Sequence, residues 1–301
     1  MNKYYNRSKA LFCAALSAIC AISLVSCGGT PIRDTDRFGG SDSFLISENP
    51  VTDAPVRTEP ESESEDSSSL PEKPTGTTTA HFVCAGDNLI HDNIYIEALE
   101  KGGGEEYDFS SCYEHVKKYI EGADVAVLNQ ETLVTDYCEP TSYPTFATPT
   151  ALGDEVVDDV GFNVISMSNN HVLDKGEEGL ISSLDYWDSK DVVHYGAYRS
   201  QEDSETIRTM TVNDITFAFL GYMEHTNGLS LSGDSAKVIY LSDEDTIKRQ
   251  IEEADKLADV VVVSCHYGTE IQNELNNQQI TLTPKLVEWG ADLIIGTQAH
   301  T

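Results

Sequence analysis

Five nearly continuous apolar runs, each closing on polar side chains able to hold a metal or carry a proton, constrain this chain more than any other feature. They are "HFVCAGD" (81–87), "ADVAVLNQE" (123–131), "GFNVISMSNNH" (161–171), "ADVVVVSCH" (258–266) and "ADLIIGTQAH" (291–300). Their Val, Ile and Leu content fits strands covered on both faces. Amphipathic segments separate them, at 108–122, 150–161, 177–190, 242–259 and 283–290. Strands alternating with helices predict an α/β fold. "SDEDTIKRQI" predicts a helix capped at Ser242 with acids in its first turn. Residues 207–221 break the rhythm: two alternating runs flank Asn213-Asp214, the pattern of a β-hairpin.

In an α/β sheet, ligands bind outside the carboxyl ends of the strands. The five endings therefore predict one shared rim. It contains Asp87 with His91 four residues on, Glu131 with Asn129, Asn170 with His171, His266, and His300 with Gln298. Four of the eight histidines fall there. Carboxylate, imidazole and amide donors without a thiolate suit Mn, Fe or Zn in an open site rather than a closed structural zinc. A carboxylate such as Glu131 can bridge two ions about 4 Å apart, as in two-metal phosphoryl-transfer sites. His171, next to Asn170, is placed to protonate a leaving group.

The N-terminus has a separate character. Lys3, Arg7 and Lys9 precede "ALFCAALSAICAISLV", an apolar run of about sixteen residues. A membrane span needs roughly twenty, so the run reads as a secretory signal. It leads into "LVSCGG", which resembles a bacterial lipobox, with Cys27 as the residue to be lipidated. Residues 28–79 are rich in Ser, Thr, Pro, Glu and Asp, too poor in large apolar side chains to offset their ordering entropy. The expected organisation is a signal peptide over 1–27, a disordered acidic tether over 28–79 and a folded domain over 80–301. That places the domain outside the cytoplasm, anchored to the membrane by lipid on Cys27.

The formal net charge is −32, and most of the excess lies in the domain rather than the tether. Without clustered Lys and Arg, a nucleic acid partner is not expected. Anionic substrates also need an intervening cation. Of seven cysteines, Cys84, Cys112, Cys138 and Cys265 lie in the domain, with no CxxC spacing to mark a zinc knuckle or redox pair. Cys84 and Cys265 sit in apolar strand patterns and are expected to be buried.

The segments "AGDNLIHDNIY", "LNQETLVT", "GFNVISMSNNHVLDKGEEGLISSLDYW", "VVVSCHYGTEIQ" and "GADLIIGTQAHT" resemble the successive motifs of the CapA family. These are bacterial capsule or poly-γ-glutamate synthesis proteins with a calcineurin-like metallophosphatase fold. The resemblance implies a four-layer α/β sandwich with two central sheets. It implies metal-site roles for Asp87, Glu131, Asn170, His266 and His300, and a leaving-group role for His171. One or two divalent ions and an anionic cell-envelope polymer, or its synthesis machinery, are the implied cofactor and partner. Either a metal-dependent hydrolase or transferase, or a non-enzymatic accessory of polymer assembly, fits this background. Two departures stand out. Gln298-Ala299-His300 replaces the usual His-x-His, which weakens one metal position. Thr301 follows the last motif directly where family members continue, so the chain reads as truncated at its C-terminus.

Weaker features receive plainer readings. "KGGGEE" (101–106) lacks the ending of a phosphate loop and reads as a connector. His225 is assigned to a surface loop, Tyr143 and Phe146 to loop packing rather than a substrate wall, and Trp187 and Trp289 to the core.

Overall fold

The computed structural model describes residues 78–231 and 235–301. The expected signal peptide, Cys27 and nearly all of the tether lie outside the described residues.

Two four-stranded sheets lie face to face. The first is wholly parallel, in the order β1 (Phe82–Asp87), β2 (Val125–Asn129), β3 (Val164–Ser166), β4 (Val193–Tyr195). A two-stranded ribbon joins β5 (Ala197–Tyr198) to β8 (Lys237–Val238). The second large sheet contains β6 (Arg208–Val212), β7 (Ile215–Met223), β9 (Val260–His266) and β10 (Leu293–Thr297), in the order β10-β9-β7-β6. Within this sheet, among the described residues, only the β6–β7 pair is antiparallel. It is the expected hairpin, and both turn residues, Asn213 and Asp214, take the positive φ that such a turn requires.

Strand alternation sorts the core into three layers of side chains. Val125, Val127, Val164 and Tyr195 meet Phe217, Phe219 and Val262 between the sheets. Tyr195 there bonds Ser264 through its hydroxyl at 2.7 Å, so its polar end is not orphaned. Ala126, Leu128 and Ile165 face outward under helices of the first side, and Ala218, Leu220, Val261 and Val263 under helices of the second. The result is the helix–sheet–sheet–helix sandwich.

The helices obey simple spacing. α5 (Gly176–Asp188) has Glu177 and Glu178 at the positive end of its dipole and buries Leu180, Ser183, Leu184 and Trp187. Trp187 is fully buried, and Trp→Ala at such a site costs about 3–5 kcal/mol. After the single turn α6 (Gln201–Ser204), α7 (Glu244–Leu257) buries Ile247, Gln250, Ile251 and Ala254 at the same spacing. Trp289 is only partly buried against the second-side core.

Several local expectations need correction. The cap of α7 is Asp243, whose carboxylate accepts from the Thr246 N–H, not Ser242. α8 (Asn277–Trp289) begins about six residues before 283, because Asn276 and Gln279 form a reciprocal capping box. Segment 108–122 forms two single turns, α2 (Ser110–Tyr113) and α3 (Lys117–Ile120), rather than one helix. α4 (Thr150–Asp154) widens into a π-helical turn over Glu155–Val160. The connector is preceded by a helix not foreseen, α1 (Asp92–Lys101). Cys265 is buried as expected, but Cys84 is exposed. It lies on edge strand β1, where the inter-sheet face is covered at Phe82 and no longer at Cys84.

Candidate metal centre

The two sheets end at one place. Asp87 pairs in register with Asn129 at the close of β1 and β2, and His266 with Thr297 at the close of β9 and β10. β3 stops at Ser166, five residues short of His171, and "MSNNH" becomes a loop. Two glycines make room for it. A Cβ on Gly196 (φ +93°) would lie 2.6 Å from Ser168, and one on Gly221 would lie 2.7 Å from its hydroxyl.

Each polar side chain of that loop has a separate task. Asn169 is a brace: its amide donates to the Gln130 carbonyl at 2.9 Å, and its Oδ1 accepts the His171 N–H at 3.1 Å. Asn170 places Oδ1 3.1 Å from Nε2 of His266. His171 places Nδ1 2.8 Å from Oδ2 of Asp174. That oxygen also accepts the Phe146 N–H at 2.6 Å, while the Phe146 ring meets the His171 ring edge-on at 4.7 Å.

Asp87 is held on both oxygens, by the Asn129 amide at 2.6 Å and the Gln298 N–H at 2.9 Å. His300 approaches it with Nδ1 at 3.3 Å and approaches Glu131 with Nε2 at 3.7 Å. His266 points Nε2 toward Glu131 at 3.7 Å, while its Nδ1 lies 2.8 Å from the Thr297 hydroxyl. Among the described residues, ligand atoms of Asp87, Glu131 and His300 all fall within 4.8 Å of one another.

Glu131 is the anomaly of the site. It is 1% exposed, and neither carboxylate oxygen has a hydrogen-bond partner. Burial, reinforced by Asp87, Glu270 and Asp174, pushes its carboxyl up to about 9. Burial, reinforced by His300, His171 and His225, holds His266 down to about 3, so its ring is neutral and free to donate a lone pair. An unpartnered acid beside the neutral ring of His266, the imidazole of His300 and an amide oxygen is a donor set that a divalent cation satisfies. The residues present therefore fit a divalent ion.

Asp87, Asn129, Glu131, Asn170, His266 and His300 converge, with His171 alongside. Gln298 joins through its backbone. Its side chain turns to Glu270, donating at 3.0 Å, and φ of +98° marks the bend. His91 does not join the carboxylates: its ring packs on Phe146 at 5.1 Å, and Nδ1 lies 3.4 Å from the Ser142 hydroxyl. A cavity of about 430 Å³ opens beside Asn170 and His171, walled by Tyr143, Asn227, Leu229 and Glu270. Tyr143 is thus a wall of the site and not loop packing, whereas Phe146 is buried. Asp174 and Glu270 were missed as site residues. Asp174 had a signal, three residues after His171, as did Glu270, four after His266. Asn227 had none. His225 is exposed in its loop.

A family model described as "Bacterial capsule synthesis protein PGA_cap" matches residues 81–301. The chain is 31% identical over 147 residues to "PGA biosynthesis protein CapA" of Bacillus subtilis (strain 168), covering 48% of this chain and 39% of that protein. It is 28% identical over 150 residues to "Capsule biosynthesis protein CapA" of Bacillus anthracis, covering 48% and 36%. The matches thus span well under half the length of these curated relatives. A crystal structure of a hypothetical protein from Thermus thermophilus is similar at a TM-score of 0.38 and 14% identity, over 64% of this chain and 62% of that one.

Proposed function

Because this chain belongs to the bacterial capsule synthesis protein PGA_cap family, we propose that it serves capsule or poly-γ-glutamate polymer synthesis or export as a divalent-metal hydrolase or transferase. Its bond of choice is a phosphoester or amide. The names of the two Bacillus relatives support the biosynthetic setting. The lipobox-like "LVSCGG" supports an extracytoplasmic position, with lipid on Cys27 as the membrane anchor.

One observation carries the chemical part: Glu131, buried with both oxygens unpartnered, beside Asp87 and His300. Asp87, Glu131, Asn170, His266 and His300 would hold one or two ions of Mn, Fe or Zn. Such an ion supplies Lewis acidity and an activated water at neutral pH. The chain's own residues do the rest. Asn129 and the Gln298 N–H fix Asp87, and Thr297 fixes the ring of His266. Asp174 accepts from Nδ1 of His171, which leaves Nε2 to carry the proton that a departing oxygen or nitrogen needs.

The test is turnover of a generic phosphoester by the purified chain with Mn²⁺ added, against His171→Ala. Metal-dependent turnover that collapses in the variant supports the proposal; an inert wild type that also takes up no metal overturns it.

A second reading has its own observation. The Gln298 amide bonds Glu270 instead of facing Asp87, which favours a weakened metal position and a non-enzymatic, polymer- or partner-binding role. Metal counts before and after Gln298→His separate the two. A rise from one ion to two, with turnover appearing only in the variant, favours the accessory role.

A further inference from the structure

The cavity beside His171 is not neutral ground. Its exposed charged side chain is Glu270, the Asp174 carboxylate being buried behind His171, and among the described residues no lysine or arginine lines it. A substrate portion carrying carboxylates would meet the like charge of Glu270 there, with attraction only at the metal end. The volume, about 430 Å³, is that of a small-molecule site.

Two further walls narrow the choice. Tyr143 is 77% exposed and Leu229 40% exposed, so an aromatic face and an aliphatic side chain stand open at the mouth. Asn227 makes only long contacts, 3.4 Å to the Asn170 amide and 3.4 Å to Nδ1 of His171. Its amide therefore keeps donor and acceptor capacity for a ligand. An apolar platform edged by the Asn227 amide and the Glu270 carboxylate matches a sugar ring, which offers a C–H face to an aromatic and hydroxyl donors to acceptors.

We propose that this cavity takes the uncharged, hydroxyl-bearing glycosyl part of a phosphomonoester, an inference that rests on the hydrolase reading above and narrows it. In the reaction, water forms a new P–O bond and the P–O bond to the sugar oxygen breaks. The sugar oxygen takes the proton from Nε2 of His171, and a proton of the attacking water restores that ring. The products are the free sugar and inorganic phosphate.

The experiment compares glucose 1-phosphate, 3-phosphoglycerate, phosphocholine and methyl phosphate as substrates of the purified full chain with Mn²⁺. Calorimetry compares binding of glucose 1-phosphate with that of inorganic phosphate. Glucose 1-phosphate is expected to exceed 3-phosphoglycerate at least tenfold in kcat/KM and to exceed phosphocholine. Tyr143→Ala and Asn227→Ala each lower the ratio of glucose 1-phosphate to methyl phosphate turnover at least fivefold. Equal or better use of 3-phosphoglycerate or phosphocholine overturns the inference while leaving the hydrolase reading intact. So does an unchanged ratio in both variants. If no ester is turned over, the hydrolase reading fails and binding decides. Glucose 1-phosphate binding more tightly than phosphate, with the difference lost in Tyr143→Ala, upholds the cavity assignment; equal or absent binding overturns it.

Discussion

The backbone N–H of Gln298 donates to Oδ2 of Asp87 at 2.9 Å, across 211 residues of chain. The first strand of one sheet and the edge strand of the other are thereby tied at their carboxyl ends. The Asn129 amide holds the other oxygen, so Asp87 is fixed before any ligand arrives.

Asp87→Ala removes the shared acceptor and leaves both donors without it. Loss of about 1–3 kcal/mol is expected for the metal-free protein. The upward shift in melting temperature that Mn²⁺ gives the wild type should disappear. Thermal melts with and without Mn²⁺ check both; a variant still stabilised by Mn²⁺ contradicts the assignment.

Glu131→Gln should act in opposite directions on stability and on metal. The native carboxyl is buried without a partner, so an uncharged isostere relieves the metal-free fold by about 1–3 kcal/mol. The same change removes the charge that draws the cation. Denaturation midpoints above wild type without metal, and unmoved by Mn²⁺, are the expected result.

His171→Ala should lower kcat by about 10²–10⁴, the usual contribution of a positioned general acid. Asp174→Asn should cost less, since it loosens the ring without removing it. Single-turnover rates on a phosphoester separate these from binding effects. A His171→Ala enzyme within twofold of wild type contradicts the role.

Much of this site was legible in the sequence because strand ends are marked by where apolar runs stop. Asp87, Glu131 and His266 needed only that rule. His91 satisfied its spacing but starts α1, and the helix carries the ring toward Phe146 and away from the carboxylates. The sequence presents Gln298 as a side chain, whereas the bend at φ +98° delivers its backbone. Asn227 and Tyr143 come from loops, and loop paths follow from tertiary contacts that no periodicity records. The same limit explains α8: Pro284 suggests a first-turn proline, but the Asn276–Gln279 box starts the helix earlier.

His194 gives the fold an acid sensitivity remote from the metal. Burial lowers its pKa despite the bond from Nε2 to Asp188 at 2.7 Å, and Nδ1 is buried without a partner. Unfolded histidine, near 6.5, takes up a proton that the native ring refuses. The contribution is therefore complete above about pH 6.5 and falls as pH drops toward the folded value. Asp188 acts in the same sense lower down. Burial raises its pKa, but bonds from Arg199 and His194 outweigh that and lower it, so its contribution is lost as pH falls through the depressed value. Urea midpoints of wild type and His194→Gln should diverge between pH 6.5 and 5, the wild type losing up to about 1.4 kcal/mol per pH unit relative to the variant. Equal pH slopes in the two proteins over that window contradict the account.

The most direct measurement is elemental analysis of the purified chain after equilibration with Mn²⁺ and removal of free ion, repeated on Glu131→Ala. At least one ion per wild-type chain and none in the variant is the predicted result. A metal-free wild type, or a variant that keeps its ion, would contradict the claim that these distant strand ends jointly hold a cation.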